Sequence, residues 1–570
     1  MCGFFFTNNA GRYKDQNGFE KLVNDRLYPR GPDSVGEYRG VNGEYGLFRR
    51  LAINGINSGD QPRRFGTKVL FFNGEIYNYR ELNDNLGLNL SGEYGDAEFL
   101  EAALKKYQLE QLVPYLRGMF AIVVFDESNE SIFGARDHFG KKPLFFNCVD
   151  GFTVSSDSLL AGLGHDLRCS LSGQFLKHGL TNGFIPIGKS YFVNVEESLP
   201  GHTFLFKNGR LTQKQFKIAK DDHSQENSFN DLVNSAVSTR LIGERKIGLL
   251  LSSGRDSMVV HGLAKHFSEM RTHTVHFNSV PGEKEKKLIG TSDFLLDRER
   301  FLEVTENFLG LVDEPIIDPA SIPIFALASD LGDKSSVILL SGDGADELDL
   351  GYAWYTKIRF ILKLQKFWWL RYAFFPILKI FQYSKATQLL TAGSVYQAAA
   401  RIRSICPVSF SEDIQQRQFS SISDAIIFDR QIFLPQTILK KLDRAGMMAS
   451  KEIRSPFLDE RLFNKDDNLS AVNLGKPRVT RIFRSLYGKN PEKKQGFDLP
   501  LTDWIDDRVI DCIKMELSLL ADILSVEKKD LLTFIENWQS RRGFGVYFIW
   551  NLFTFISWKR KHAQYIRSIK

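Results

Sequence analysis

The apolar positions change rhythm near residue 230. Before it they form short runs or alternations at residues 69–72, 121–125, 131–133, 144–146 and 152–155, with turn formers such as Asn73-Gly74 and Asp150-Gly151 beside them. That pattern predicts strands joined by tight turns, with one clear helix at residues 97–107. From Leu211 to Asn230 the chain turns polar and reads as a linker. After it, helical spacing at 229–241, a buried strand at 247–251, a helix at 256–270 and strands at 272–277 and 337–340 alternate. Strands alternating with helices predict a parallel sheet. Beyond Gly351 the pattern is mainly helical, and residues 548–558 read as a core helix. The expected organisation is a β-rich domain at 1–210, a linker at 211–228 and an α/β domain with a helical C-terminal part at 229–570.

Composition narrows the class. With 43% hydrophobic and 25% charged residues the chain is globular, which excludes a fibrous or wholly disordered protein. A net charge of +6 over 570 residues is too thin for a basic nucleic-acid stripe, so no nucleic-acid partner is expected. The five cysteines (Cys2, Cys148, Cys169, Cys406, Cys512) are odd in number and far apart. That fits neither a disulfide framework nor a zinc spacing, and points to a reducing, cytoplasmic setting. No secretory signal and no spanning helix are expected. Residues 357–383 interleave Lys and Arg with Phe and Trp. An amphipathic helix packed on the core is the favoured reading, and weak membrane-surface association the alternative.

Cys2 follows the initiator directly. Removal of Met1 would put a thiol beside a free α-amino group, which titrates near ~8 and can take the thiol proton. Around it stand Arg30-Gly31-Pro32-Asp33, Arg49-Arg50-Leu51, Asn73-Gly74-Glu75-Ile76-Tyr77-Asn78, Tyr94-Gly95-Asp96 and Arg136-Asp137-His138-Phe139-Gly140. In this order they resemble the glutaminase domain of class II, N-terminal-nucleophile amidotransferases, an αββα sandwich. The resemblance implies that Cys2 attacks the glutamine amide, that Asn73 and Gly74 form the oxyanion hole, that Arg50 holds the glutamine carboxylate and Asp96 its amino group, and that Glu75 lines the pocket.

Residues 247–257 run from a strand through the turn Ser252-Ser253-Gly254-Arg255-Asp256-Ser257 into a helix, a place where backbone N–H groups suit an anion. The turn resembles the S-G-G-x-D-S pyrophosphate loop of ATP pyrophosphatase-type enzymes, with Ser253 where glycine is usual. A second stretch, Ser341-Gly342-Asp343-Gly344-Ala345-Asp346-Glu347, resembles S-G-E-G-x-D-E of glutamine-dependent asparagine synthetases, with Asp343 one methylene shorter than the family's proton-transfer Glu. The resemblance extends through Asp313-Glu314-Pro315, Asp443-Arg444, residues 452–459 and Lys494-Gln495-Gly496-Phe497. It implies ATP contacts from Leu250, Ser252, Ser253, Gly254, Arg255, Asp256, Ser257, Val275, Ser341 and Gly342. It further implies Mg²⁺ ligands at Asp256 and Asp346, proton transfer at Asp343 and charge neutralisation by Lys494. Between Phe277 and Asp313 no helix is legible, and residues 278–294 read as a loop.

The chain is thus expected to hydrolyse glutamine at Cys2 and pass ammonia to an acyl-adenylate, by default converting aspartate to asparagine. Amidation of a uronic acid for a bacterial surface polysaccharide stays open. So does a glutaminase or regulatory protein with a degenerate second half, given Ser253 and Asp343. The expected partners are small molecules, and homodimer formation is left open.

Overall fold

The computed structural model describes residues 2–219, 228–277, 291–315, 318–332, 336–356, 422–463, 474–491, 499–540 and 545–570. The first domain stacks two six-stranded antiparallel sheets. One runs in the order Glu196–Glu197, Phe145–Asn147, Thr153–Ser155, Gly3–Thr7, Tyr45–Arg50, Ser34–Arg39. The other runs Arg210–Gln215, His202–Lys207, Ser131–Arg136, Gly118–Asp126, Lys68–Ile76, Arg63–Phe65. Their facing sides share one aromatic cluster, in which Phe4 and Phe6 from the first sheet meet Phe71, Phe125 and Phe204 from the second. Alternation along Gly3–Thr7 explains it, since neighbouring side chains take opposite faces. Phe5 accordingly points outward onto the helix Gln16–Leu27 and packs edge-on against Phe19. The second sheet's outer face is covered by the helix Asp96–Lys106 through Phe99, Leu100 and Ala103. The result is the αββα layering expected.

Several sequence expectations need correction. Asn73 and Gly74 do not make a turn; they lie inside the nine-residue strand Lys68–Ile76, opposite Ala121 and Phe120. The expected linker does not begin at Leu211, because Arg210–Gln215 is an edge strand paired with His202–Lys207. An edge strand with few buried side chains carries little hydrophobic signal. The helices Gln16–Leu27 and Gly173–Asn182 add to the one read in this domain. In the stretch read as helix-free, Thr291–Leu296 is a strand and Arg298–Leu311 a helix. The helix buries Phe301, Thr305, Phe308 and Leu309, a stripe at helical spacing among charged neighbours.

The second domain holds a five-stranded, wholly parallel sheet in the order Thr291–Leu296, Arg271–Phe277, Ile247–Leu250, Ile338–Leu340, Glu452–Arg454. From Ile247–Leu250 the chain winds one way to Thr291–Leu296, then returns and winds the other way through Ile338–Leu340. The helix Gly545–Lys561 is buried along most of its length, as the apolar run predicts. Past it, Ile566–Ile569 pairs in parallel with Cys169–Leu171 of the first domain. Among the described residues no helix is long and apolar enough to cross a membrane. The basic aromatic stretch 357–383 lies outside the described residues.

Candidate active site

Cys2 precedes a central strand of the first sheet and is buried. Its main-chain N–H donates to Asn73 Oδ1 at 3.1 Å. Asn73 is fully buried, and its Nδ2 has no hydrogen-bond partner. A buried donor left unpaired costs about 1–3 kcal/mol, so this nitrogen marks a seat for an incoming acceptor oxygen. Next to it, a Cβ on Gly74 would lie 2.0 Å from Met119 O. Only glycine permits the two strands to approach so closely. Burial pushes the Cys2 thiol up, while the chain's amino-terminal charge, a main-chain hydrogen bond at Leu51 and Arg50 pull it back down.

Of the expected pocket residues, Arg50 and Glu75 lie near enough for their charges to act on this thiol. Arg50 is buried and held by the carbonyls of Asn54, Gly55 and Ile56, with Asp60 3.3 Å away. Asp96, first residue of its helix, accepts the Ile76 N–H at 3.0 Å, and burial pushes its carboxyl up to about 7. Glu75 accepts from Asn54 Nδ2 and lies 3.4 Å from Arg454 Nη2, a residue of the second domain. Arg30 had no role in the sequence reading. It donates to Cys2 O at 3.2 Å and grips Asp443 of the second domain at 2.8 and 3.2 Å.

The second cluster sits where sheet topology places ligands. The strand order reverses between Ile247–Leu250 and Ile338–Leu340, and the C-terminal ends of strands flanking such a switch point form a crevice. The loops leaving those two ends carry Ser252 to Ser257 and Ser341 to Asp346. The first loop is closed by its own hydroxyls: Ser252 N–H donates to Ser257 Oγ (3.1 Å), and Gly254 N–H to Ser252 Oγ (3.2 Å). Ser253 is exposed, so its hydroxymethyl group crowds nothing in the loop. The loops touch, and a Cβ on Gly342 would fall 2.6 Å from Ser257 N. Leu250 and Val275 are half-buried on adjacent strands. Arg255 is turned onto Gly475 O (3.0 Å) and Thr480 Oγ1 (2.6 Å).

Asp256 and Asp346 converge on Lys476, whose Nζ lies 2.6 Å from the first and 2.8 Å from the second. Asp256 Oδ1 is buried and unpartnered. Two carboxylates with an unpaired oxygen fit a small hard cation that completes its shell with phosphate and water. Lys476 was missed by sequence reasoning. Its signal is a lysine between Gly475 and Pro477 at the start of the helix Pro477–Tyr487, held at φ 62°. A non-glycine residue in the left-handed region is uncommon and tends to mark function. Asp343 is half-buried, and its charge, with Asp318 and Glu347, opposes the desolvation of Lys441 and keeps that ammonium protonated. Lys494 lies outside the described residues.

At the domain boundary is a small cavity of about 20 Å³ lined by Tyr77 and Lys142 from one domain and Arg240, Asp443 and Ser455 from the other.

Comparison with known proteins covers both halves. The glutamine amidotransferase domain family matches residues 1–217, and the asparagine synthase family matches residues 228–560. The glutamine-hydrolyzing asparagine synthetase 1 of Bacillus subtilis is 26% identical over 98% of this chain and 96% of its own. A putative asparagine synthetase of Mycobacterium tuberculosis is 27% identical over 84% and 83%, respectively. The enzyme of Gallus gallus is 28% identical over 58% of this chain and 64% of its own.

Proposed function

The chain belongs to the asparagine synthase family and is a glutamine-hydrolysing ligase; on that premise we propose that it amidates aspartate to asparagine, with ATP as the energy source. The observation that carries the ligase half is the meeting of Asp256, Asp346 and Lys476 at the switch point of the parallel sheet.

In this reading Cys2 Sγ attacks the glutamine amide carbon, and its proton passes to the α-amino group exposed when Met1 is removed. The oxyanion takes the unpaired Asn73 Nδ2 and the Gly74 N–H. Each such donor is worth about 10²–10³ in rate. Ammonia leaves, and water then cleaves the thioester to glutamate. The ammonia would pass across the domain boundary, where Tyr77 and Lys142 face Asp443 around a small cavity. At the second site an acceptor carboxylate oxygen attacks the α-phosphorus and pyrophosphate departs. Ammonia then attacks the acyl carbon, AMP leaves, and Asp343 takes the surplus proton. Asp256 and Asp346 would hold Mg²⁺, which neutralises pyrophosphate charge when bound. Leu250 and Val275 would lie against adenine, and Lys494 near the phosphates. We place the enzyme in the cytoplasm with these soluble substrates.

A second acceptor is kept for a specific reason. Asp343 reaches one methylene less far than the family's Glu, and Lys441 stands beside it, 3.2 Å from Asp318. A uronic acid with a longer approach would suit that geometry. The ordered Asp256–Lys476–Asp346 cluster speaks against a degenerate ligase half. ATP–pyrophosphate exchange over a panel of acids, with ¹⁵N-amide glutamine as donor, tests all three readings. Exchange and label transfer with aspartate uphold the proposal. Exchange with a sugar acid alone replaces it, and none with any acid overturns the ligase reading.

A further inference from the structure

Arg454 ends the edge strand Glu452–Arg454 of the parallel sheet, yet its side chain reaches into the other domain. It is 0% exposed. Nη1 donates to the carbonyls of Arg240 (2.9 Å) and Ile242, and Nε donates to Glu452. Nη2 faces Glu75 Oε2 at 3.4 Å, and the guanidinium lies 5.5 Å from the Tyr77 ring. The only cation that the ligase sheet sends to the Cys2 pocket, among the described contacts of Glu75, is therefore this one.

Glu75 is crowded by like charge. Burial pushes its carboxyl well up and Glu452 and Asp96 push it further; Arg454 and the chain's amino terminus oppose this rise without cancelling it. Tyr77 and Tyr79 also face it, each as a neutral phenol kept so chiefly by burial. Two adjacent buried carboxyl groups such as Glu75 and Asp96 titrate as a pair and tend to share a proton unless a cation is near. A shared proton would disable the acceptor that the ammonium of bound glutamine needs.

We propose that Arg454 is a positioning residue of the glutaminase reaction, supplied by the ligase domain, which fixes Glu75, 3.4 Å away across the domain boundary, beside the pocket where Asp96 takes the substrate's α-ammonium group. The inference deepens the glutaminase reading above and rests on it. It makes the glutamine pocket incomplete without the second domain. The two packed residues Glu452 and Arg454 then act in opposite senses: one raises the charge cost of ionising Glu75 and the other relieves it.

The test is glutamate release by the full chain as a function of glutamine concentration from pH 5.5 to 9. In Arg454→Gln the KM for glutamine at pH 7 rises about tenfold, and the acid limb of kcat/KM moves up by about one pH unit, since one unit of pKa is a factor of ten. At saturating glutamine and pH 8.5, kcat stays within about threefold of wild type. Arg454→Lys restores most of the loss, and Glu452→Gln moves the limb the other way. Wild-type KM and limb in folded Arg454→Gln and Glu452→Gln overturn the inference, as does a loss confined to kcat. If Arg454→Gln does not fold, the downward shift in Glu452→Gln decides. Absence of glutamate release by wild type, or equal release by Cys2→Ala, overturns the underlying glutaminase reading and the inference with it.

Discussion

Lys476 holds its ammonium 2.6 Å from Asp256 Oδ2, across 220 residues of sequence. The pair is buried, and the ammonium is shared with Asp346 at 2.8 Å. A compact cation on a flexible stem can neutralise these carboxylates and swing toward phosphate when nucleotide arrives. Lys476→Met should therefore cut ATP–pyrophosphate exchange by about 10² or more, the scale for losing a charge clamp at a reacting phosphate. Glutamate release at Cys2 should stay near wild type. Equal exchange in mutant and wild type would remove Lys476 from the site.

The unpaired Asn73 Nδ2 makes a separate prediction. Asn73→Ala should lower kcat for glutamine hydrolysis by about 10²–10³ while KM changes little, because the bond forms only as the oxyanion develops. Ammonia supplied directly should bypass the defect, as it should for Cys2→Ala. Steady-state kinetics with either nitrogen source checks this.

Glu347 is buried at the second site, and burial together with Asp346 holds its carboxyl at about 7, above its ordinary 4.5. The folded state therefore binds a proton that the unfolded chain releases earlier. This favours folding below pH 4.5 and is lost as pH rises through 7. Glu347→Gln, which cannot ionise, should gain on wild type from pH 5 to pH 8, by about 3 kcal/mol at the upper end. Denaturant midpoints at the two pH values measure it, and a constant difference would refute it.

Arg444 is buried against Asp313 at 2.9 and 3.2 Å and Glu314 at 3.3 Å. Asp313 also accepts from the Ser158 N–H and hydroxyl, both at 2.8 Å, so the three residues tie the domains together. Arg444→Met would remove the buried cation that Asp313 and Glu314 share, leaving Asp313 its Ser158 donors and Glu314 its contact with Lys440, and should cost about 3 kcal/mol. Chemical unfolding of both domains, followed by circular dichroism, tests this; a mutant with an unchanged midpoint contradicts it.

What could be read from sequence follows physical range. Cys2 and the Ser252–Asp256 turn stand out because their features lie in neighbouring residues, whereas Asn73 is marked by the family resemblance alone. The strand Ile247–Leu250 and helix Phe229–Thr239 are legible from local periodicity. Arg454 and Lys476 are not, since each matters only through a carboxylate hundreds of residues away, Glu75 and Asp256 respectively. Asn73-Gly74 misled for the opposite reason. The pair has hairpin-turn chemistry, but pairing with Ala121 and Phe120 holds it extended inside a strand. The helix Arg298–Leu311 was hidden by its charged face, although Phe301, Thr305 and Phe308 carry the stripe.

The pairing of Ile566–Ile569 with Cys169–Leu171 also has a bearing on biogenesis. Gly173 N–H reaches Lys570 O at 2.6 Å, and Cys169 Sγ reaches Tyr565 O, 396 residues onward. During synthesis the half made first must wait for the half made last before this seam can close. A nascent chain stalled before Ile566 would leave that groove open to chaperones or to a neighbour's tail. A bulky substituent at Lys570 would be felt at the start of the helix Gly173–Asn182, far away in the sequence.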